Sequence, residues 1–330
     1  MDTLMKRKLE HFMKRRKQHL YTILASLVIC VCFIVGILFL LKPEVEVSDN
    51  QTNQHTQEES ETENVFETEQ STEEIIPLPP SKPLSYVEKI ELDYVEQPLK
   101  REPNEAIAKM YELSRWYPAL YFVAKNADQY PEELLLSGAG NPEMADFLYG
   151  YMSSDGSAPG GFTDEEQPED HPLLLQFDPR WGYMQYGSRG TVGSSGCGPT
   201  CLSMAVFYLT GDRSCTPDVI TQYSLDKGYY VEGVGTAWTL LTDYPAEFGL
   251  TSFQIPLREA KLKAELDKGR YLICSVRPGD FTSTGHFILI YGYDENGFKI
   301  NDPKCVYRSR LSWTYEQIQD DIKATWSVGH

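Results

Sequence analysis

The chain has 330 residues, a net charge of -18 and 41% hydrophobic content, averages that conceal three unlike regions. Residues 1–20 hold seven Lys and Arg against two acids, residues 43–85 hold eleven acids against one Lys, and an uncharged apolar run lies between them. The acidic folding portion argues against a nucleic-acid partner, because it repels phosphate, and the apolar run argues against a wholly soluble chain.

Residues 21–41 form that run, and 21 residues at about 1.5 Å each cover the roughly 30 Å hydrocarbon core of a bilayer. A cleavable signal peptide is the competing reading. Its apolar part is usually about 7–15 residues and ends in small residues, whereas this run ends Phe39-Leu40-Leu41-Lys42-Pro43, which favours an uncleaved transmembrane helix. Lys6, Arg7, Lys8, Lys14, Arg15, Arg16 and Lys17 precede it, so residues 1–20 are expected in the cytoplasm and the rest outside the cell. Residues 42–85 are rich in Glu, Gln, Thr and Ser, with Phe66 their one aromatic residue, and are too poor in apolar area to offset chain entropy. They read as a disordered acidic stalk, stiffened by the prolines of residues 77–83.

Residues 86–152 read as three or four short helices. Asn104 is a candidate N-cap for EAIAKMYELSRW, where Ile107, Met110, Tyr111 and Ser114 recur at helical spacing. Pro118 and Pro131 interrupt the pattern, and Asn141-Pro142 opens a further helix, EMADFLYGY. No nucleophile, base and acid combine here, so packing or spacing is the expected role. A Gly-, Ser- and Asp-rich loop then leads to a last domain, residues 171–330.

In that domain GSSGCGPTCLSMAVFYLTG carries a helical stripe of Cys201, Leu202, Ala205, Val206 and Leu209 that stops at Gly211. Cys197 therefore stands where a helix begins, and the free N–H groups there favour a nucleophilic thiolate. Gly196 and Gly198 leave space beside the sulfur for backbone or substrate. Cys201, on the apolar stripe, fits a buried structural thiol better.

A nucleophilic Cys needs a base and a group to orient it. Of six His, His11, His19 and His55 precede the folding portion, His171 lies in a polar loop and His330 is the last residue, which leaves His286. His286 opens GHFILIYGYDENGFKINDP, an expected β-hairpin with Asp302 at its far end. A carboxylate at Asp302 would fix the imidazole tautomer and favour an imidazolium paired with thiolate. A turn centred on Asp294-Glu295 sets residues 286 and 302 nearly opposite; one centred on Asn296-Gly297 separates them by roughly 7 Å along the strand. A loop cap before Pro303 is the alternative role for Asp302.

The order of Gln176, then Asp178-x-Arg180-Trp181, then Gly196-Cys197-Gly198-Pro199-Thr200, then Gly285-His286 and Asn301-Asp302-Pro303 resembles the papain-superfamily cysteine peptidases of family thirty-nine. More narrowly it is similar to their "like" branch, related to the domains that clip double-glycine leaders from bacteriocins. The resemblance covers roughly residues 171–305. It implies Cys197 as nucleophile, His286 as base, Asp302 as orienting acid and Gln176 as oxyanion-hole donor, beside the Cys197 amide. It departs from the leader-processing members in two ways: nothing here resembles their transporter, and Gln176 precedes Cys197 by 21 residues rather than a few.

The resemblance also implies a papain-like α+β fold, with a Cys-bearing helix packed on an antiparallel sheet. The residues agree, since EAKLKAELDKG reads as a helix and YLICSVR, HFILIYGY and FKINDP as strands. Outside the apolar run, Cys201, Cys215, Cys274 and Cys305 allow three disulfide pairings or none, with Cys274 and Cys305 on neighbouring strands. No CxxC or HxxxH occurs, so no metal and no cofactor is expected. Trp181, Tyr183, Tyr186, Tyr229, Tyr230 and Trp238 are expected mainly in the core, with Tyr229-Tyr230 the most exposed pair.

Two function classes result. One is a membrane-anchored thiol hydrolase acting outside the cell on a protein, a peptide or cell-wall peptides. The other is a non-catalytic adhesion or binding module of the same fold. Within enzymes, a cell-wall endopeptidase of the Cys-His-His type is the rival, with Asp302 standing where its third residue would be His.

Overall fold

A computed structural model describes residues 85–90 and 94–330. The basic segment, the apolar run at 21–41 and the stalk through residue 84 lie outside the described residues. Among those described, no helix is long and apolar enough to cross a membrane.

Four helices come first: α1 Pro103–Leu113, α2 Pro118–Lys125, α3 Glu132–Gly140 and α4 Ala145–Tyr151. The α1 N-cap falls on Glu102 rather than Asn104. Pro103 starts the helix because its φ is preset and its missing N–H would have had no partner, and the Glu105 side chain accepts from the Glu102 amide at 2.9 Å. Asn141 does act as a cap, accepting from the Glu143 amide at 3.0 Å and opening a 3-10 turn, Pro142–Met144, that runs into α4. Met110, Leu120, Leu134, Met144 and Phe147 form the fully buried centre of this layer. Leu175, Phe177 and Val306 belong to the same cluster, so the helices pack onto the C-terminal part of the chain.

Next come α5 Val192–Ser195, α6 Cys197–Thr210, α7 Pro217–Asp226, the small hairpin of β1 Tyr230–Val231 and β2 Gly235–Thr236, and α8 Leu240–Asp243. Helix α6 is apolar nearly all round, the pattern of a helix enclosed on every side. Gly211, at φ 69°, ends it in a left-handed conformation that a side chain would strain.

The sheet comprises β3 Thr251–Ile255, β4 Tyr271–Val276, β5 His286–Asp294, β6 Gly297–Asn301, β7 Ser312–Trp313 and β8 Ile322–Gly329. Its six strands run antiparallel in the order β3-β8-β4-β5-β6-β7. Helix α9, Glu259–Leu266, covers one face and α6 the other. Alternation along the strands serves both: Phe287, Leu289, Ile273 and Trp326 join the α6 cluster, while Ile288, Ile290, Leu272 and Cys274 join the cluster containing Leu262 of α9. The architecture is a mixed α+β one with an antiparallel sheet.

Three strands of this sheet, β3, β7 and β8, went unread in the sequence, as did the short β1–β2 hairpin. Strand β8 lies inside the sheet yet carries Thr325 and Ser327, both buried, so its apolar alternation is broken. Ser327 is satisfied by accepting from Arg270 Nε and donating to Glu265 Oε2, each at 2.8 Å. Glu265 also accepts from Lys261 and Lys268, both at 2.7 Å. Burial pushes its carboxyl up, but these two cations and Ser327 outweigh it and hold the group down at about 2.

Candidate active site

Cys197 is the first residue of α6 and is partly exposed. The first N–H groups of a helix lack internal acceptors and point at whatever lies before it, which favours negative charge on the sulfur. The two glycines beside it make room for the protein's own atoms. A Cβ on Gly196 would stand 2.6 Å from the Val192 carbonyl oxygen, and one on Gly198 would stand 2.9 Å from the Thr236 side chain. Both spaces are therefore filled from within, where the sequence suggested room for a substrate as well.

His286 opens β5, opposite Val276 of β4, and is 5% exposed. Asp302 comes directly after β6 and is fully buried. The hairpin reverses between Asp294 and Gly297, so its turn is Glu295-Asn296, intermediate between the two turns that the sequence allowed. A register shift between Ile290 and Gly292 then sets Asn301 against Leu289. Asp302 thus reaches the ladder's end close enough for its Oδ1 to lie 2.7 Å from His286 Nε2. That leaves Nδ1 for the sulfur, and the acidity of Cys197 is coupled to His286 and to the Phe287 amide. The three side chains form one electrostatically coupled series.

Its electrostatics arise from burial set against pairing. Burial raises the Cys197 thiol, but the hydrogen bond to His286, the imidazolium charge, the Phe287 amide and the Lys304 charge together hold it below its ordinary value. Burial disfavours the His286 cation, yet the Asp302 charge and hydrogen bond, with the contribution of Cys197, raise it above the usual imidazole range. Burial also raises Asp302; the charge and hydrogen bond of His286, then Arg308 and the Lys304 amide, bring it down. Arg308 Nη1 stands 3.6 Å from Asp302 Oδ2. The other described thiols move the opposite way, because burial pushes Cys215 and Cys274 up to about 12 and raises Cys201 and Cys305 strongly. All five described cysteines are free, so none of the possible pairings of Cys201, Cys215, Cys274 and Cys305 is formed.

Gln176 is nearly fully buried, and its bonds go elsewhere than to Cys197. Its Nε2 donates to the Gly193 carbonyl at 2.8 Å and its backbone amide donates to the Pro303 carbonyl at 2.7 Å. It thereby ties the turn before Cys197 to the residue after Asp302. The Asp178-x-Arg180-Trp181 motif is structural: Arg180 makes two 2.8 Å bonds to Glu166 and one to Asp178, and lies over the Trp181 ring. Asn301 is structural too, donating to the His171 carbonyl and to Tyr208 Oη.

Sequence reasoning missed Lys304, Arg308 and the Phe287 amide. Lys304 and Arg308 come within six residues after Asp302, but their value depends on a turn that folds them back, which spacing alone does not specify. Trp181 and Tyr186 are buried, and the Tyr229-Tyr230 pair is half-buried, Tyr230 packing on Tyr186 at 4.8 Å. A cleft of about 760 Å³ lined by Glu133, Tyr151, Asp155, Tyr183 and Arg189 contains neither Cys197 nor His286 and is separate from this series. Among the described residues no group of three His, Cys, Asp or Glu is placed to hold a metal ion.

Comparison with known proteins adds a family. The Peptidase_C39 like family matches residues 169–328, just under half of the chain. The match supports a cysteine peptidase in general. Among solved structures, the peptidase domain of Streptococcus ComA, described as a bi-functional ABC transporter in a quorum-sensing pathway, aligns at 17% identity and a TM-score of 0.34, over 48% of this chain and 98% of that one. A structure described as a C39-like peptidase from Bacillus anthracis aligns at 14% identity and a TM-score of 0.31, over 49% and 96%. No curated protein matches the chain.

Proposed function

We propose that the chain is a thiol hydrolase of papain-like arrangement that cleaves a peptide or amide bond, with Cys197 as nucleophile, His286 as base and Asp302 as orienting acid. The observation that carries the reading is the 2.7 Å bond of His286 to Asp302 together with the coupling of the Cys197 thiol to the same imidazole. The Cys197 thiolate attacks the scissile carbonyl carbon, and a carbon–sulfur bond forms as the carbonyl π pair moves onto oxygen. Collapse of that intermediate expels the amine, which takes its proton from the His286 imidazolium. Water, deprotonated by His286, then attacks the thioester and returns the thiol. The Cys197 amide is one donor to the oxyanion. Gln176 is the second, through the Nε2 hydrogen not given to Gly193.

A binding module of the same fold has no need of an acidic sulfur. One thiol lowered among the five described, on the one of them coupled to a histidine, favours chemistry. The substrate is a peptide, a protein or a cell-wall peptide, and the Asp302 carboxylate on Nε2 favours the Cys-His-Asp form over the Cys-His-His form.

The full chain treated with iodoacetamide at pH 6 tests the assignment. Cys197 should label at least about tenfold faster than Cys201, Cys215, Cys274 or Cys305, since only a lowered pKa leaves thiolate there. Equal labelling overturns the activated nucleophile.

The placement outside the cell, on an anchor at residues 21–41, rests on the apolar run and the basic cluster before it. External protease on intact cells should release the C-terminal portion; full protection overturns this placement.

A further inference from the structure

Asp302 begins a turn that leaves β6 and enters α10, Val306–Ser309. The first amides of α10 lack acceptors within that helix. Glu143, from the helical layer that precedes the family-matched residues, takes two of them: Oε2 accepts from the Val306 amide at 2.7 Å and Oε1 from the Tyr307 amide at 2.9 Å. The Cys305 thiol donates to the same Oε1 at 3.7 Å. Glu143 is 5% exposed. A buried carboxylate is costly unless donors surround it, as these three do here.

Two neighbours on the same layer grip the same turn. Asn141 accepts from the Glu143 amide at 3.0 Å and donates from Nδ2 to the Lys304 carbonyl. Ser137, on α3, accepts from Lys304 Nζ at 3.0 Å. From its other side the turn fixes Asp302: the Lys304 amide donates to Oδ1 and Ser309 Oγ accepts from the Asp302 amide, each at 2.8 Å. The contacts run without a gap from the helical layer to the carboxylate that faces His286.

We propose that the helical layer is part of the catalytic apparatus, and that Glu143 is a positioning residue that holds the Asp302–Val306 turn, and so Asp302, against His286. This rests on the Cys197–His286–Asp302 reading. Burial raises the Glu143 carboxyl against the amides of Tyr307 and Val306 and the side chain of Asn141, and the titratable groups facing it are Asp302, Cys305 and Tyr117. With the turn slack, Asp302 drifts from Nε2, the imidazolium loses its counter-charge, and the sulfur reverts to a thiol. A displacement of about 1 Å at such a site costs on the order of a hundredfold in rate.

The test is Glu143→Gln in the full chain, with the pH profile of Cys197 alkylation by iodoacetamide as readout. The Gln side chain keeps the volume but turns an NH₂ toward one of the two amides, so one bond is lost. The expected result is a profile displaced upward by about one pH unit, which is about a tenfold slower reaction at pH 6. A loss of packing alone would lower the melting temperature and leave that midpoint in place. Ser137→Ala, which removes only the Lys304 Nζ acceptor, should slow labelling at pH 6 about threefold by loosening the cation that acts on the sulfur. An unchanged profile in Glu143→Gln overturns the proposal. If Glu143→Gln shows no cooperative unfolding transition, the decision passes to Ser137→Ala, and an unchanged profile there overturns it as well. Wild-type Cys197 reacting like an ordinary thiol sinks the nucleophile reading instead, so the two failures are told apart.

Discussion

Cys197→Ala should remove peptide-bond hydrolysis, lowering kcat/KM by on the order of 10⁵-fold on a mixed peptide pool read by mass spectrometry. The mechanism sets the size of the effect: without sulfur no acyl-enzyme forms, and the remaining site can only orient substrate and polarise its carbonyl. The fold should survive. Cys197 is partly exposed at a helix start, and the apolar stripe behind it, from Cys201 to Phe207, is untouched. Its loss should shift the urea midpoint little, because no large cavity opens in the core. Labelling at pH 6 should also vanish from the native variant, since burial raises each of the other four described thiols and suppresses its thiolate. Cys197→Ser is the sharper control. It keeps a hydrogen-bonding group toward His286, but a hydroxyl is not ionised by an imidazole as a thiol is, so activity should fall nearly as far. Hydrolysis within about tenfold of wild type in either variant would place the chemistry elsewhere.

The place of Cys197 at a helix start was legible because that start and a flanking glycine pair are local signals, spelled within Gly196-Cys197-Gly198. His286 was singled out by elimination among six histidines and Asp302 by its place on the same hairpin, and the two side chains do meet. Register is the property that the residues do not spell. The Ile290–Gly292 shift decides where Asp302 stops, and Gly292, a glycine inside a strand, marks an irregularity there without specifying the register that results. Strand β8 was hidden for a related reason, its buried Ser327 and Thr325 being satisfied by partners distant in sequence. Glu143 was invisible too. It lies 159 residues before the turn that it caps at Asp302, and in sequence it resembles any acid in the first turn of a helix.

Asp302→Asn should cost about 10³- to 10⁴-fold in kcat/KM while leaving the side-chain volume unchanged. The carboxylate raises the His286 imidazolium and is itself lowered by it, so the two charges stand or fall together. With Asn in place, His286 returns toward neutrality, and Cys197 loses the cation that holds its thiol below the ordinary value. At pH 6 an ordinary thiol of pKa about 8.5 is ionised in only about one molecule in three hundred, and labelling should slow accordingly. Stability should fall as well. Arg308, 4% exposed, has its guanidinium 3.6 Å from the Asp302 carboxylate, and an uncompensated buried cation costs about 3 kcal/mol or more. The pH dependence gives the sign. The raised His286 contributes stability that is full below about pH 6.5 and is lost as the pH climbs through its folded value. The lowered Asp302 contributes stability present above about pH 3.9 and lost as the pH falls through its folded value. Urea midpoints of the wild-type chain should therefore pass over a plateau between these flanks, and in Asp302→Asn both flanks should flatten. A variant that labels at the wild-type rate at pH 6 would show that Asp302 only caps the turn before Pro303, and the sulfur's acidity would then have to come from the helix start, the Phe287 amide and Lys304.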